Sequence, residues 1–182
     1  LNQTSFLYYI DSATGEEREL ESLHGLEDRV WVDLKDVPKQ LQLAFISVED
    51  HTFYSHHGVN WKRTIGAGLN YLLHFRQNFG GGSTITQQLI KNLTGDDETS
   101  VKRKICEVMR ALKLEEKYEK DDILEMYLNT IYFGQGAYGV RQAAKVYFNK
   151  ELNELTLGEC AAIAGIVKNP YGFDLKRFPE KN

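Results

Sequence analysis

The stretch of this sequence best suited to chemistry covers residues 49–58, which read Glu-Asp-His-Thr-Phe-Tyr-Ser-His-His-Gly. Two carboxylates, three histidines and two aromatic rings share these ten positions. Carboxylates and imidazoles are the groups most often used in general acid–base catalysis. An apolar stripe at helical spacing leads up to Glu49: Leu41, Ala44, Phe45 and Val48. We therefore expect a packed helix to present Glu49 as a catalytic group.

A second polar stretch follows three glycines at 80–82. Thr84 and Gln87 fit the T-x-x-Q capping box, which predicts that a helix begins there. Thr84, Gln88 and Lys91 share one face of this helix. Solvated faces usually carry Glu and Lys, so this face is a candidate binding surface. A glycine-rich turn before a helix also suits an anion, although no Gly-Lys-Ser/Thr follows and a P-loop is excluded.

A third stretch places one acid among bases, with Arg103, Lys104 and Glu107 on a helix that begins near residue 99 or 100. Its predicted buried face consists of Val101, Ile105, Val108, Met109 and Leu112. On the other side, Arg103 and Glu107 align with Arg110 at i, i+4, i+7. These three residues either belong to a site or form exposed ion pairs worth about 0.2–0.5 kcal/mol each.

Further elements must hold these stretches in place. Segments 5–11 and 29–34 are predicted to be strands of a small N-terminal β element. Segments 121–130, 137–148 and 156–168 are predicted helices, and Asn169-Pro170 ends the last of them. Residues 61–75 form another apolar segment, either a loosely packed core helix or a membrane-facing one. We expect residues 75–82 beside it to be mobile.

Composition excludes several classes of protein. The 182 residues carry a formal charge of −4, which supplies no overall basic field for nucleic acid. No apolar run approaches the roughly 20 residues of a membrane span. Two cysteines, Cys106 and Cys160, are too few for a disulfide framework or a zinc site, and we expect both to be free, buried thiols.

Taken together, the motifs resemble a known family. They are Glu-Asp-x-x-Phe-x-x-His-x-Gly from 49, Gly-Gly-Ser-Thr-Ile-Thr-Gln-Gln from 81 and Arg-Lys-x-x-Glu from 103, followed by Ile-Leu-Glu-x-Tyr-Leu-Asn from 123 and the segment 161–170. Their types and order are similar to the five motifs of the peptidoglycan glycosyltransferases, glycosyltransferase family 51. This domain occurs in class A penicillin-binding proteins and in monofunctional cell-wall polymerases.

The resemblance implies a mainly α fold, with a lysozyme-like helical lobe, a smaller membrane-facing jaw lobe and a short N-terminal β element. Residues 1–36 would form the β element and linker. Residues 37–182 would form the glycosyltransferase domain, ending before the family's usual last helix. Residues 61–79 would meet the membrane surface. The expected location is the extracytoplasmic face of a bacterial cell membrane, with the anchor outside this sequence.

The activity implied is polymerisation of lipid II into β-1,4-linked glycan, with inversion and release of undecaprenyl pyrophosphate. Lipid II, the growing strand and phosphoglycolipid inhibitors of the moenomycin type are the implied partners. Glu49 would be the general base and Glu107 the second catalytic carboxylate. The implied substrate-binding residues are Asp50, Phe53, His56, Gly58, Ser83, Thr84, Gln87, Gln88, Lys91, Asn92, Arg103, Lys104 and Asn129.

The resemblance also implies a divalent metal, Mg or Mn, with Glu107 and Asp50 as candidate ligands and no organic cofactor. Thr99 departs from the family pattern, which often has an arginine there. Two alternatives stay open: a lysozyme-like glycan hydrolase and a non-catalytic module that binds lipid or glycan. The basic residues at 102–104 argue against the hydrolase, because a neutral glycan offers them no anionic partner. The two carboxylates argue against the binding module, because binding alone does not require both.

Overall fold

The fold is mainly α, as the sequence predicts, in a computed structural model that describes residues 6–10, 17–22, 31–66, 82–95 and 100–168. The helices in these ranges are α1 (Lys39–Glu49), α2 (residues 61–66), α3 (Ile85–Thr94), α4 (Val101–Lys117), α5 (Lys120–Thr130), α6 (Val140–Phe148) and α7 (Leu157–Ile166). Short 3₁₀ turns occur at Leu34–Asp36, Phe53–Ser55 and Leu152–Glu154.

Two strands, β1 (Phe6–Ile10) and β2 (Glu17–Ser22), form an antiparallel pair. The strand predicted at 29–34 is wrong over residues 31–34, because residues 31–33 pair with no strand in the described ranges and a 3₁₀ turn begins at Leu34. Residues 29–30 lie outside the described residues. The alternation that suggested a strand reflects burial of Val32 and Leu34. Side chains of α5, not a neighbouring strand, take up the backbone hydrogen bonds of this segment.

Local capping fixes where the helices begin. Thr84 and Gln87 form the predicted capping box of α3. The Ser100 side chain caps α4, and Thr156 with Glu159 forms a capping box at the start of α7. Each cap satisfies backbone N–H groups that have no partner inside the helix. The residue at which each of α3 and α4 begins is therefore encoded by a few neighbouring residues in the sequence.

The core is built where α1 packs on α7 and α3 packs on α4 and α5. Phe45 of α1 is fully buried, and its ring meets those of Tyr127 and Phe133 edge-on at centroid distances of 6.2 and 6.1 Å. Aromatic pairs favour this geometry. Because Phe45 anchors α1 one turn before its end, Glu49 emerges from a rigid element as expected.

Helix α4 turns part of its predicted apolar face outward, whereas Val108 and Leu112 are partly buried and pack against the core. Val101, Ile105 and Met109 are 65%, 58% and 55% exposed. The buried residues of α4 are Glu107, Ala111 and Leu114. The prediction was wrong for the three exposed residues, because the side of α4 that packs on α3 carries charged groups that are satisfied by ion pairs. An apolar stripe in the sequence does not reveal such pairs.

The two cysteines differ in their surroundings. Cys160 of α7 is free and buried, as predicted. Cys106 is free but exposed, so its predicted burial is wrong. The prediction rested on how often free cysteines are buried, whereas Cys106 lies on a side of α4 that faces solvent.

Helix α2 contains the described part of the proposed membrane-facing segment. Trp61 and Ile65 are 54% and 58% exposed, one helical turn apart. Residues 67–79, and 75–81 of the segment expected to be mobile, lie outside the described residues. Among the helices in the described ranges, none is long and apolar enough to cross a membrane.

Asn129 fastens the segment before α1 to α5. Its Oδ1 accepts a hydrogen bond from Val32 N, and its Nδ2 donates to Val32 O, both at 2.9 Å. Nδ2 also donates to Glu125 O at 2.8 Å. The Glu125 carboxylate accepts from Leu34 N at 2.7 Å. Two side chains of α5 thus replace the strand partner that residues 31–34 lack.

Asn129→Ala should lower the free energy of unfolding by about 2–4 kcal/mol, because it leaves two buried backbone groups of Val32 without partners. Urea unfolding followed by circular dichroism measures this. The matched control is Asn153→Ala, at an exposed position of the last 3₁₀ turn. It should change stability by less than about 0.5 kcal/mol. Equal effects of the two substitutions would contradict the structural role of Asn129.

Candidate active site

Glu49, the last residue of α1, has an asymmetric carboxylate environment. Its Oε2 accepts a hydrogen bond from Gln88 Nε2 of α3 at 2.8 Å. Its Oε1 is shielded from solvent and has no hydrogen-bond partner within the described part of the chain. A carboxylate oxygen without a donor is the atom best able to accept a proton. Glu49 therefore has the arrangement expected of a general base.

Asp50 is completely buried and is held by donors from several segments. Its Oδ2 lies 2.7 Å from His56 Nε2 and accepts from Ile85 N at 3.2 Å. Its Oδ1 accepts from Thr52 Oγ1 at 3.2 Å. Burial alone would raise the pKa of Asp50, but the hydrogen bonds and the charge of His56 outweigh it and lower the pKa. Asp50 is thus an ionised link between α1, the following loop and the start of α3.

Gly58 and Thr84 make the close contact that joins this loop to α3 and α4. Thr84 Oγ1 donates to Gly58 O at 2.6 Å. Gly58 has a φ of +81°, and a Cβ at this position would lie 2.8 Å from the carbonyl oxygen of Ala111. Glycine is therefore required here for both backbone conformation and space.

Glu107 is buried among donors on the inner face of α4. Arg103 Nη1 donates to its Oε2 at 2.7 Å, and Lys104 Nζ donates to its Oε1. Gln87 Nε2 donates to Oε1 at 3.2 Å. Lys104 Nζ also contacts Ser83 Oγ at 2.7 Å. Lys104, rather than the exposed Arg110, is thus the second basic partner of Glu107.

Adjacent glutamines on α3 connect the two carboxylates to one helix. Gln87 contacts Glu107, and Gln88 contacts Glu49. Glu107 has two cationic partners and one amide, so its negative charge is already balanced. Glu49 has one neutral donor on its side chain. The two carboxylates therefore suit different tasks, proton acceptance at Glu49 and fixed charge at Glu107.

The remaining predicted residues are spread around this group. Phe53 is fully buried, with its ring against those of Tyr54 and His56, so it supports the loop from inside. Lys91 and Asn92 are exposed in the second half of α3. Asn129 is not brought to this group, because its amide is used by the Val32 backbone.

The residues suggested as metal ligands do not suit a divalent cation. Glu107 is surrounded by Arg103, Lys104 and Gln87, which are all hydrogen-bond donors. Asp50 is likewise occupied by donors. No cluster of three or more metal-ligating side chains occurs in the described ranges. The metal stays a prediction that these donor sets do not favour, and no step below depends on it.

Two residues that contact this group were not assigned to the site from the sequence. Arg63 of α2 donates from Nη1 to Glu49 O at 3.2 Å. The same Nη1 lies 3.7 Å from Asp50 Oδ1. Tyr127 of α5 is fully buried, and its hydroxyl donates to Gln88 Oε1 at 3.3 Å. Burial, with the charges of Glu49 and Asp50, raises the pKa of Tyr127 well above its usual value. Tyr127 lies within one of the motifs, which was the available signal, whereas Arg63 had none.

Comparison with known proteins agrees with this geometry. A family model described as transglycosylase matches residues 16–182. The chain belongs to the transglycosylase family. It is 46% identical over 147 residues to penicillin-binding protein 2D of Bacillus subtilis, covering 81% of the chain and 21% of that relative. It is 40% identical over 182 residues to penicillin-binding protein 1A of Rickettsia bellii, covering 96% and 22%.

The chain spans about a fifth of the length of these relatives. The sequence-based assignment to a transglycosylase domain of the kind found in class A penicillin-binding proteins is confirmed.

Asp50→Asn should lower the free energy of unfolding by about 1–3 kcal/mol at pH 7, because the buried donors lose their charged acceptor. A lowered folded-state pKa means that ionised Asp50 contributes its full stability above its unfolded pKa, near 4. This contribution disappears as pH falls through the folded pKa. The difference between wild type and variant should therefore be present above about pH 4 and shrink as pH falls below this value.

Urea unfolding at several pH values measures this difference. The control is Asp33→Asn, since the Asp33 side chain is 54% exposed and paired with Lys35. An exposed pair contributes at most about 1 kcal/mol. A stability difference for Asp50→Asn that does not change down to pH 2 would contradict the role given to its charge.

Proposed function

We propose that this chain polymerises lipid II into β-1,4-linked glycan and releases undecaprenyl pyrophosphate, with inversion at the anomeric carbon. The observation that carries the proposal is the pair of carboxylates attached to neighbouring glutamines of α3. Glu49 has a solvent-shielded oxygen that finds no hydrogen-bond partner among the described residues, and Glu107 is neutralised by two cations. Membership of the transglycosylase family supports the reaction class.

In the proposed step, the 4-hydroxyl oxygen of the acceptor sugar attacks the anomeric carbon of the growing strand. Glu49 Oε1 accepts the hydroxyl proton as the new carbon–oxygen bond forms. The bond from the anomeric carbon to the pyrophosphate oxygen breaks, and its electron pair leaves with undecaprenyl pyrophosphate. One base is sufficient, because a pyrophosphate leaving group does not need protonation as an alkoxide does.

The leaving pyrophosphate would be stabilised by Arg103 and Lys104. These two cations share a single carboxylate, so the cluster keeps a net positive charge. Arg103 Nε is buried and has no hydrogen-bond partner within the described part of the chain. A guanidinium with an unused N–H is well suited to a phosphate oxygen. Glu107 would orient both cations and would not transfer a proton.

The other residues assigned by the resemblance would bind around this centre. Ser83 lies beside Lys104, and Lys91 and Asn92 extend the polar surface of α3. His56, Gly58, Thr84 and Phe53 would act by fixing the loop and the start of α3.

A lipid-linked substrate requires access to a membrane surface. The exposed Trp61 and Ile65 of α2, with exposed Lys62 between them, would lie at the headgroup level. We accordingly place the protein at the extracytoplasmic face of a bacterial cell membrane, where its lipid II substrate and the glycan strand meet.

Incubation of the protein with lipid II in detergent, followed by electrophoresis of the products, tests the proposed reaction. Glycan polymer with release of undecaprenyl pyrophosphate is the expected result. Cleavage of preformed glycan without polymerisation would support a lysozyme-like hydrolase. Binding of lipid II with no turnover would support a non-catalytic module.

Glu49→Gln should reduce the polymerisation rate about 10²–10⁴-fold, because the amide cannot accept the acceptor's proton. The fold should persist, since an amide keeps the shape of the carboxylate. Glu116→Gln, at an exposed position of α4, is the control and should retain the wild-type rate. Wild-type turnover by Glu49→Gln would remove this residue from the role of base.

Arg103→Ala should weaken binding of a moenomycin-type phosphoglycolipid by about 1.5–3 kcal/mol, the value of a hydrogen bond to a charged group. Titration calorimetry measures the affinity. Arg110→Ala removes an exposed arginine from the same helix and should change affinity by less than about 1 kcal/mol. If both variants bind equally tightly, Arg103 does not contact the phosphate.

A further inference from the structure

Tyr127 reaches the catalytic carboxylate through one intermediate side chain. Its hydroxyl donates to Gln88 Oε1 at 3.3 Å, and Gln88 Nε2 donates to Glu49 Oε2 at 2.8 Å. The sequence assigned Gln88 to substrate binding, but the oxygen and nitrogen of its amide are both engaged inside the protein. Tyr127 itself is fully buried. It therefore has no surface with which to contact substrate in this conformation.

The direction of each hydrogen bond is fixed by chemistry. The amide nitrogen of Gln88 can only donate, and the carboxylate of Glu49 can only accept when ionised. Rotating the amide by 180° would place its oxygen against the carboxylate and leave Oε2 without a donor. With the amide held in this orientation by the carboxylate, the Tyr127 hydroxyl, which can either donate or accept, donates to the amide oxygen and adds a second hydrogen bond that fixes the position of the amide. The raised pKa of Tyr127 keeps the hydroxyl protonated and able to donate at neutral pH.

We propose that Tyr127 is a positioning residue that locks the Gln88 amide so that Gln88 occupies Glu49 Oε2 and leaves Oε1 as the single proton-accepting oxygen. This inference rests on the proposed function of Glu49 as the general base. A carboxylate free to rotate would present either oxygen in varying directions. Fixing one oxygen sets the direction of the other, and proton transfer depends strongly on this alignment.

The packing around Tyr127 makes the hydroxyl separable from the ring. The ring meets Phe45 edge-on, and phenylalanine keeps this contact. Tyr127→Phe therefore removes one hydroxyl without opening a cavity in the core. Tyr147 supplies a matched control, because its hydroxyl donates to a backbone oxygen, that of Phe133, at 2.8 Å in the same core.

The experiment compares wild type, Tyr127→Phe, Gln88→Ala, the double variant and Tyr147→Phe in lipid II polymerisation. Tyr127→Phe should lower kcat about tenfold and leave KM within about twofold, because alignment of the base is lost and not substrate binding. In the Gln88→Ala background the same change should alter kcat less than about twofold, since Tyr127 acts only through Gln88. Tyr147→Phe should retain wild-type kcat.

Three results would overturn the proposal: unchanged kcat in Tyr127→Phe, multiplicative effects in the double variant, or an equal loss in Tyr147→Phe. A urea-unfolding cycle on the same proteins measures coupling between Tyr127 and Gln88 without relying on activity. If wild type forms no polymer, the proposed function fails and the catalytic role of Tyr127 fails with it. Coupling in the unfolding cycle would then show that only the hydrogen bond exists.

Discussion

The buried carboxylate of Asp50 is the interaction on which the site depends. It joins the end of α1 to His56 in the following loop and to the first amide of α3 at Ile85. An ionised group without water needs several donors to offset the loss of hydration. Those donors come from segments that would otherwise have no reason to meet. The position of Glu49 relative to α3 follows directly, because Glu49 is the residue before Asp50.

Helix α3 connects this arrangement to the second carboxylate, Glu107. Its N-terminal cap is shared with the loop through the bond from Thr84 to Gly58. Its neighbouring glutamines point to different partners, Gln87 to α4 and Gln88 to α1. A helix that is buried on a polar side can do this only if every donor finds an acceptor. This side of α3 therefore carries Thr and Gln instead of Leu, because these side chains supply the hydrogen bonds to the neighbouring segments.

Features encoded by near neighbours were predictable from the sequence. The box of Thr84 and Gln87 depends on residues three apart, and so does the box of Thr156 and Glu159. The strand expected at 29–34 failed because its partner is a side chain, Asn129, almost a hundred residues away. The prediction of the buried face of α4 failed in part for a similar reason. Apolar periodicity indicates an amphipathic helix, but pairing of Glu107 with Arg103 and Lys104 decides which side is buried.

The same distinction applies to the site. Motif order pointed to Glu49, Glu107 and their basic neighbours, because the proposed reaction needs those residue types. Residues that only position those groups cannot be recognised from their type in the sequence. Tyr127 was visible only as a member of a motif, and Arg63 not at all. Their positions follow from how α2 and α5 pack around the end of α1. The chemistry proposed for Glu49 is therefore a property of the assembled fold: one oxygen is held by a neutral amide, and the other has no hydrogen-bond partner among the residues that the structure describes.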